Sequence, residues 1–285
     1  MQTLGYYNGE IGEVAELRIP MNDRASWFGD GVYDATGCAN YTIFALDEHV
    51  DRFFNSAGLV QIDLPLTKQE LKDLLCSLVK KLDSPDQFVY WQATRGTAPR
   101  AHEFPENARA NLWITLRPHT LPNIYEKVKL RTQEDTRFLH CNIKTLNLLP
   151  NVLASEQAKR EGCFETVFHR GDRVTECAHS NVHIFQNGAL RTAPTDNLIL
   201  PGIARAHLIK HCKLLGIPVD ETAFTVQELL DADEVFTSSS NTFCQPACLV
   251  DGRPVGGKAP GLLKKLQDAV LCEFYAATGA KNPYA

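Results

Sequence analysis

Apolar residues recur along this chain with two periods. Leu71, Leu74, Leu75, Leu78, Val79 and Leu82 return at spacings of three and four, the stripe of one helix face. Thr67-Lys68-Gln69-Glu70, just ahead of them, is a capping box, and Thr225-Val226-Gln227-Glu228 is a second. Further helices are predicted over Glu48–Ala57 (with Asp47 as cap), from behind Lys144 to about Glu161, over Ala204–Leu215 and over Pro260–Thr278. The remaining apolar runs are short, alternating or β-branched, and turn residues bound them. They predict strands over Gly31–Cys38, Thr42–Leu46 (after a turn near Asn40), Phe88–Thr94, Ala110–Leu116, Lys127–Thr132 and Glu234–Ser238. Hairpins are expected about Asn8-Gly9 (Leu4–Tyr7 with Glu10–Val14) and Gly171-Asp172 (Glu165–His169 with Arg173–Glu176). Two more are expected about Asn187-Gly188 (Val182–Phe185 with Ala189–Thr192) and at Val250-Asp251-Gly252-Arg253.

Many hairpins and few βαβ crossovers point to an α+β protein and away from a Rossmann or TIM fold. Arg117-Pro118-His119-Thr120-Leu121-Pro122 has two prolines and no periodicity, and reads as a linker. The expected division is a first domain over 1–117, a linker over 118–123 and a second domain over 124–285.

Composition narrows the function classes. The net charge is −5, with no basic stripe, which argues against a nucleic-acid partner. No stretch approaches the roughly 20 apolar residues of a membrane span, and the alternating start has no apolar signal core. Nine scattered cysteines are expected to be free thiols in a reducing cytoplasm. Cys244 and Cys248 lack the second pair or histidine cluster that a metal site needs.

Several segments carry chemistry. Lys144 stands among apolar residues in Asn142-Ile143-Lys144-Thr145-Leu146, at an expected strand-to-helix corner. There, desolvation and a helix N-terminus would disfavour the charged form and free the amine as a nucleophile and base; the alternative is a lysine that snorkels to water. Glu176, in a run of small residues, suits a cationic heterocyclic nitrogen or is an ordinary turn carboxylate. Arg52 offers forked donors to a phosphate, or an i,i+4 pair to Glu48. Leu200-Pro201-Gly202-Ile203-Ala204-Arg205 places backbone N–H groups at a helix start, an anion site by geometry. Thr237-Ser238-Ser239-Ser240-Asn241-Thr242 offers hydroxyls to the same anion. Arg100 and His102 lie two apart on one side of an extended segment and suit a carboxylate, or are solvated cations. Tyr33 follows two glycines and either reaches a ligand or caps a core.

Taken together and in order, these segments resemble the class IV pyridoxal-phosphate aminotransferases, most closely the bacterial D-amino-acid transaminases. The resemblance runs from Asn22 to about Gln267. It implies the two-domain fold type IV architecture, with a smaller N-terminal α/β domain and a C-terminal pseudo-barrel. It implies pyridoxal 5′-phosphate, held by Lys144 as a Schiff base, with Glu176 on the pyridine nitrogen. Arg52, Ile203, Ala204 and Ser240 are implied phosphate ligands; Tyr33, Arg100 and His102 an implied trap for the substrate carboxylate. The implied activity is ping-pong transfer between D-amino acids such as D-alanine or D-glutamate and 2-oxo acids. A homodimer is implied, because the family's trap arginine and histidine come from the neighbouring subunit. Branched-chain L-amino-acid aminotransferases, which differ at the Arg100–His102 element, (R)-amine transaminases, which resemble the chain in the cofactor half, and aminodeoxychorismate lyases, which share the lysine and glutamate without the trap, are the alternative readings within the same fold. The chain departs from the pattern at Cys177, Ala178 and His179, where serines are usual, at Ala35 and Gly37, where bulkier residues are usual, and at Asn241, Phe243 and Cys244. A histidine so near Glu176 is expected either to replace a hydroxyl beside the ring or to crowd it.

Overall fold

A computed structural model describes residues 2–284. The chain forms two compact units that interleave in sequence. The first holds the chain up to Leu121, then Ile143–Asn147, and again from Phe274 onward; the second holds Pro122–Asn142 and Leu148–Glu273. The expected division treats each domain as one continuous stretch. The first unit instead recruits two later pieces of chain.

The first unit contains β1 (Leu4–Tyr7), β2 (Glu10–Gly12), α1 (Arg24–Phe28), β3 (Gly31–Ala39), β4 (Thr42–Ile43), α2 (Leu46–Leu59), α3 (Lys68–Val79), β5 (Gln87–Thr94) and β6 (Asn111–Pro118). Its sheet runs β2-β1-β6-β5-β3-β4, antiparallel throughout. Leu71, Leu75, Leu78 and Val79 of α3 and Val50, Phe53 and Ala57 of α2 are buried in one cluster with Val32, Val89, Trp91, Ile114 and Leu116 of the sheet. The helical stripe and the strand alternation in the sequence therefore meet in a single core. The capping box at Thr67 forms as expected. Asp47 does not cap α2. That helix starts behind Ala45, which has φ 50° and no side-chain cap, and Asp47 lies in its first turn, 2.8 Å from Lys72 Nζ. Strand β4 is two residues long, because the chain turns into α2 sooner than the run Thr42–Leu46 suggests. The expected linker begins inside β6, whose last residue is Pro118.

The second unit contains β7 (Val128–Glu134), α4 (Leu149–Arg160), β8 (Glu165–Arg170), β9 (Arg173–Cys177), β10 (Asn181–Gln186), β11 (Ala189–Thr192), α5 (Ile203–Leu214), β12 (Val219–Asp220), α6 (Val226–Asp231), β13 (Glu234–Ser238), β14 (Gln245–Val250), β15 (Arg253–Pro254) and most of α7 (Pro260–Thr278). Its mixed sheet runs β12-β11-β10-β13-β14-β7-β8-β9, with β15 on β14. Asn187 and Gly188 take φ 54° and 76°, the left-handed pair that a two-residue hairpin needs. Strand β10 is interior, and its burial on both faces explains why Val182, Ile184 and Phe185 crowd together around a single polar residue, His183. No described helix is long and apolar enough to cross a membrane.

Candidate active site

In the first unit, β3 has a free edge beside Gly31–Tyr33, because β4 pairs only with Cys38 and Ala39. The segment Ile143–Asn147 fills that edge. Leu146 N donates to Gly31 O at 3.1 Å, Tyr33 N donates to Lys144 O at 2.9 Å, and Thr145 bridges to Val32. Gly31 makes this approach feasible, since a Cβ there would lie 2.6 Å from both Ala93 O and Leu146 Cδ1. Lys144 is therefore a strand-edge residue and not a helix-start residue. Helix α4 begins only at Leu149, with Leu148 at its cap, five residues after Lys144.

The backbone N–H of Lys144 donates to Ser56 Oγ on α2 at 3.2 Å. Its half-buried side chain places Nζ 4.3 Å from the centroid of the Tyr33 ring. Tyr33 stacks on Tyr90 at 5.4 Å between centroids. Alternation along β3 puts Tyr33, Ala35 and Gly37 on one face, half-buried, opposite Gln92, Tyr90 and Phe88 of β5. The two small departures thus share a face with the tyrosine beneath the lysine.

The other face of β3 carries Asp34, fully buried. Asp34 Oδ2 accepts from Arg52 Nε at 2.9 Å, and Oδ1 accepts from Arg52 Nη2 at 2.8 Å and lies 2.8 Å from His49 Nδ1. Burial works to raise the Asp34 pKa, but Arg52 and His49 outweigh it and hold the carboxyl far below the usual range. Burial depresses His49, with Asp34 opposing. Arg52 is thus aimed by Asp34, which the sequence reading missed. The signal was His49-Val50-Asp51-Arg52: i,i+3 spacing puts the imidazole and guanidinium on one side of a helix.

Arg100 and His102 gather around Phe28. The guanidinium carbon of Arg100 is 5.1 Å, and the His102 ring 5.2 Å, from the Phe28 ring centroid; both side chains are exposed. Buried Arg24 braces their loop, donating to the carbonyls of Ala101 (2.7 Å) and Glu103 (3.2 Å) and to Asp30 (2.7 Å).

In the second unit, Glu176 ends up buried. Oε1 accepts from Arg137 Nη1 at 2.5 Å; Oε2 accepts from Asn181 Nδ2 and from the backbone N–H of Leu200, both at 3.0 Å. Arg137 in turn grips Asp135 through Nε at 3.0 Å and Nη2 at 2.9 Å. Burial would lower the Arg137 pKa, but Asp135 and Glu176 raise it, so this guanidinium is a permanent charge. Nothing in Asp135-Thr136-Arg137 announced a partner for a carboxylate 39 residues away.

The same network reaches the start of α5. Asn181 Nδ2 also donates to Leu200 O at 3.0 Å. A Cβ on Gly202, the α5 cap, would lie 2.0 Å from Asn181 Oδ1. Gly202 has no side chain to cap the helix, and the packing allows none, so no cap side chain accepts from the N–H groups that head α5. Ser240 lies in the turn after β13, half-buried, where Thr242 N and Phe243 N both donate to Ser239 O.

His179 pairs with Glu165. It is 53% exposed, its Nδ1 is 3.2 Å from Glu165, and its backbone N–H donates to Glu165 Oε1 at 2.6 Å. The β9–β10 turn aims it outward, against Phe164.

The sequence model of "Amino-transferase class IV" matches residues 31–250. D-alanine aminotransferase of Listeria monocytogenes serotype 4b is 38% identical over 278 residues, 95% of this chain and 96% of that protein. D-alanine aminotransferase of Bacillus licheniformis is 37% identical over 274 residues, 94% of this chain and 97% of that protein. Among solved structures, the branched-chain amino acid aminotransferase of Escherichia coli has the same fold, with a TM-score of 0.88 at 23% identity, covering 100% of this chain and 98% of that one. Another branched-chain amino acid aminotransferase, complexed with N-(5′-phosphopyridoxyl)-L-glutamate, has a TM-score of 0.87 at 23% identity over 99% of this chain and 96% of that one. The match across residues 31–250 and the near full-length identity lead to one conclusion: this chain belongs to the class IV aminotransferase family.

Proposed function

We propose that this protein is a D-amino-acid transaminase that uses pyridoxal 5′-phosphate, passing an amino group from D-alanine-type donors to 2-oxo acids. The observation that carries the reading is the 38% identity to a D-alanine aminotransferase over 95% of the chain.

The residues present fit the cofactor. Uncapped helix amides at Ile203 and Ala204, the Ser240 hydroxyl and the Arg52 guanidinium suit a phosphate. Glu176, held beside a permanently charged Arg137, suits a protonated pyridine nitrogen. Lys144, a primary amine over an aromatic face, suits an aldehyde. When bound, the cofactor supplies the electron sink for the donor's α-carbon. Lys144 Nζ takes the α-proton and later returns it, serving as base and then acid. Such proton transfer is worth about 10²–10⁴ in rate. Glu176 keeps the ring nitrogen protonated, and Asn181 and Leu200 fix the plane of its carboxylate. Asp34 holds the Arg52 fork in one orientation, so less freedom is lost when the phosphate binds.

Tyr33, Arg100 and His102 hold the donor carboxylate, and pinning it on one rim selects the D enantiomer. Phe28 and Arg24 preset the Arg100–His102 loop before substrate arrives. Ala35 and Gly37, on the Tyr33 face, make room for donors larger than D-alanine. Two copies act together. On α4, Leu149, Val152 and Leu153 share one side at i, i+3 and i+4 and are 69%, 58% and 62% exposed, an apolar patch suited to a second copy. The nine free cysteines support a cytoplasmic location.

The test is a donor panel with 2-oxoglutarate or pyruvate as acceptor: D-alanine, D-glutamate, larger D-amino acids, L-leucine and (R)-1-phenylethylamine, with aminodeoxychorismate assayed for lyase activity. Turnover of D-alanine, D-glutamate and larger D-amino acids is expected to exceed that of L-leucine, the amine and aminodeoxychorismate. Preference for L-leucine, for the amine or for aminodeoxychorismate would replace this reading with the corresponding relative. A panel confined to D-alanine would contradict the breadth assigned to Ala35 and Gly37.

A further inference from the structure

His183 sits in the middle of β10, fully buried, opposite Thr192 of β11 and Phe236 of β13. Both ring nitrogens have partners on the flanking strands: Nδ1 is 2.9 Å from Thr192 Oγ1, and Nε2 is 2.8 Å from Ser238 Oγ. Each partner leads to one of the two segments assigned above to the cofactor's phosphate. Thr192 Oγ1 accepts from Arg205 Nε at 3.2 Å, and Arg205 lies in the first turn of α5, just behind Ile203 and Ala204. Arg205 Nη2 also donates to Ala193 O at 2.9 Å, so this turn is tied firmly to the end of β11. Ser238 is the last residue of β13, two before Ser240, and the turn that follows is closed on Ser239.

An unbroken hydrogen-bonded chain therefore runs Arg205–Thr192–His183–Ser238, from the head of α5 to the root of the Ser240 turn. Burial, helped by Arg205, lowers the His183 pKa to about 3, so the ring is neutral and presents one donor and one acceptor. A ring needed only to fill this space would fit better without polar edges, since a buried polar group is favourable only when bonded. Here both edges are satisfied, and both bonds point at the phosphate segments.

We propose that His183 is a positioning residue for the cofactor's phosphate: it fixes the spacing between the amides that head α5 and the Ser240 hydroxyl. The inference rests on the phosphate assignment made above.

The test compares binding of pyridoxal 5′-phosphate with binding of pyridoxal, which lacks the phosphate, to the full-length apoprotein. Titrations are followed by tryptophan fluorescence in wild type, His183→Phe and Thr192→Val. The first variant keeps a flat ring and removes both bonds; the second keeps the ring and interrupts the chain between His183 and Arg205. Each is expected to lose about tenfold in affinity for pyridoxal 5′-phosphate, the weight of one or two neutral hydrogen bonds, and about twofold or less for pyridoxal. Equal losses for the two ligands would make His183 a merely structural residue, and an undiminished preference for the phosphate form in the variants would also overturn the proposal. If His183→Phe fails to fold, as read by circular dichroism, Thr192→Val decides the matter by the same ratio. A wild type with no preference for pyridoxal 5′-phosphate over pyridoxal would instead overturn the cofactor assignment itself.

Discussion

Arg137 shows how single side chains set this chemistry. It lies between Asp135 and Glu176, three charged groups in the interior with their bonds made to one another. Replacing it with methionine keeps most of the volume and takes the guanidinium away from buried Glu176, while Asp135 keeps only the longer pair to Arg170 at 3.5 Å. Such a loss typically costs about 3–5 kcal/mol. Urea denaturation of Arg137→Met is therefore expected to show a loss of that size, and the half-reaction with amino donors to slow. A loss below about 1 kcal/mol would mean that water reaches the pair and screens it as at a surface. Asp34 is the corresponding anchor for Arg52. The i,i+3 spacing of His49 and Arg52 hinted at a shared anion but not which one, because each bond joins residues far apart in the chain: Arg52 to Asp34 across 18 residues, Arg137 to Glu176 across 39.

Elements were more legible than contacts. The capping boxes at Thr67 and Thr225, the Asn187-Gly188 turn, β13 and α7 fall where the sequence puts them. Each is specified by chemistry within a few residues. The segment around Lys144 was misread because its structure is tertiary. Flanking apolar residues and a nearby helix suggested a helix corner, but the segment is held by the free edge of β3, which only the assembled sheet offers. The direction of His179 is set locally, by the tight β9–β10 turn three residues after Glu176, which carries it to the surface. Helices α5 and α7 are joined by another contact invisible in sequence. Glu273 accepts from His207 Nδ1 and His211 Nε2 at 2.7 Å and from Lys210 Nζ at 2.5 Å. Burial would raise the Glu273 pKa, but these three donors lower it from 4.5 to about 2. A depressed carboxyl stabilises the fold fully above its unfolded value and loses that contribution as pH falls through its folded value. Glu273→Gln is thus expected to unfold at a lower temperature than wild type at pH 7. The gap in melting temperature should close as pH is lowered from about 4.5 towards 2. A gap that persists unchanged at pH 2.5 would show that the carboxylate charge is not what joins the two helices.

As a whole molecule, the proposed enzyme needs two copies and one covalent anchor. Sedimentation equilibrium is expected to give twice the chain mass of 31.8 kDa. Leu153→Glu, which charges the exposed side of α4, should shift the protein towards monomer and take D-alanine turnover down with it. A fully active monomer would remove the need for a neighbouring subunit's arginine and histidine. The central claim is that Lys144 bears the cofactor and moves the proton. Reducing the holoenzyme with borohydride, digesting it and finding the modified peptide by mass spectrometry tests this most directly. One phosphopyridoxyl group per chain is expected, on Lys144, and none on the Lys144→Ala protein. Label on any other lysine, or equal labelling of Lys144→Ala, would contradict it.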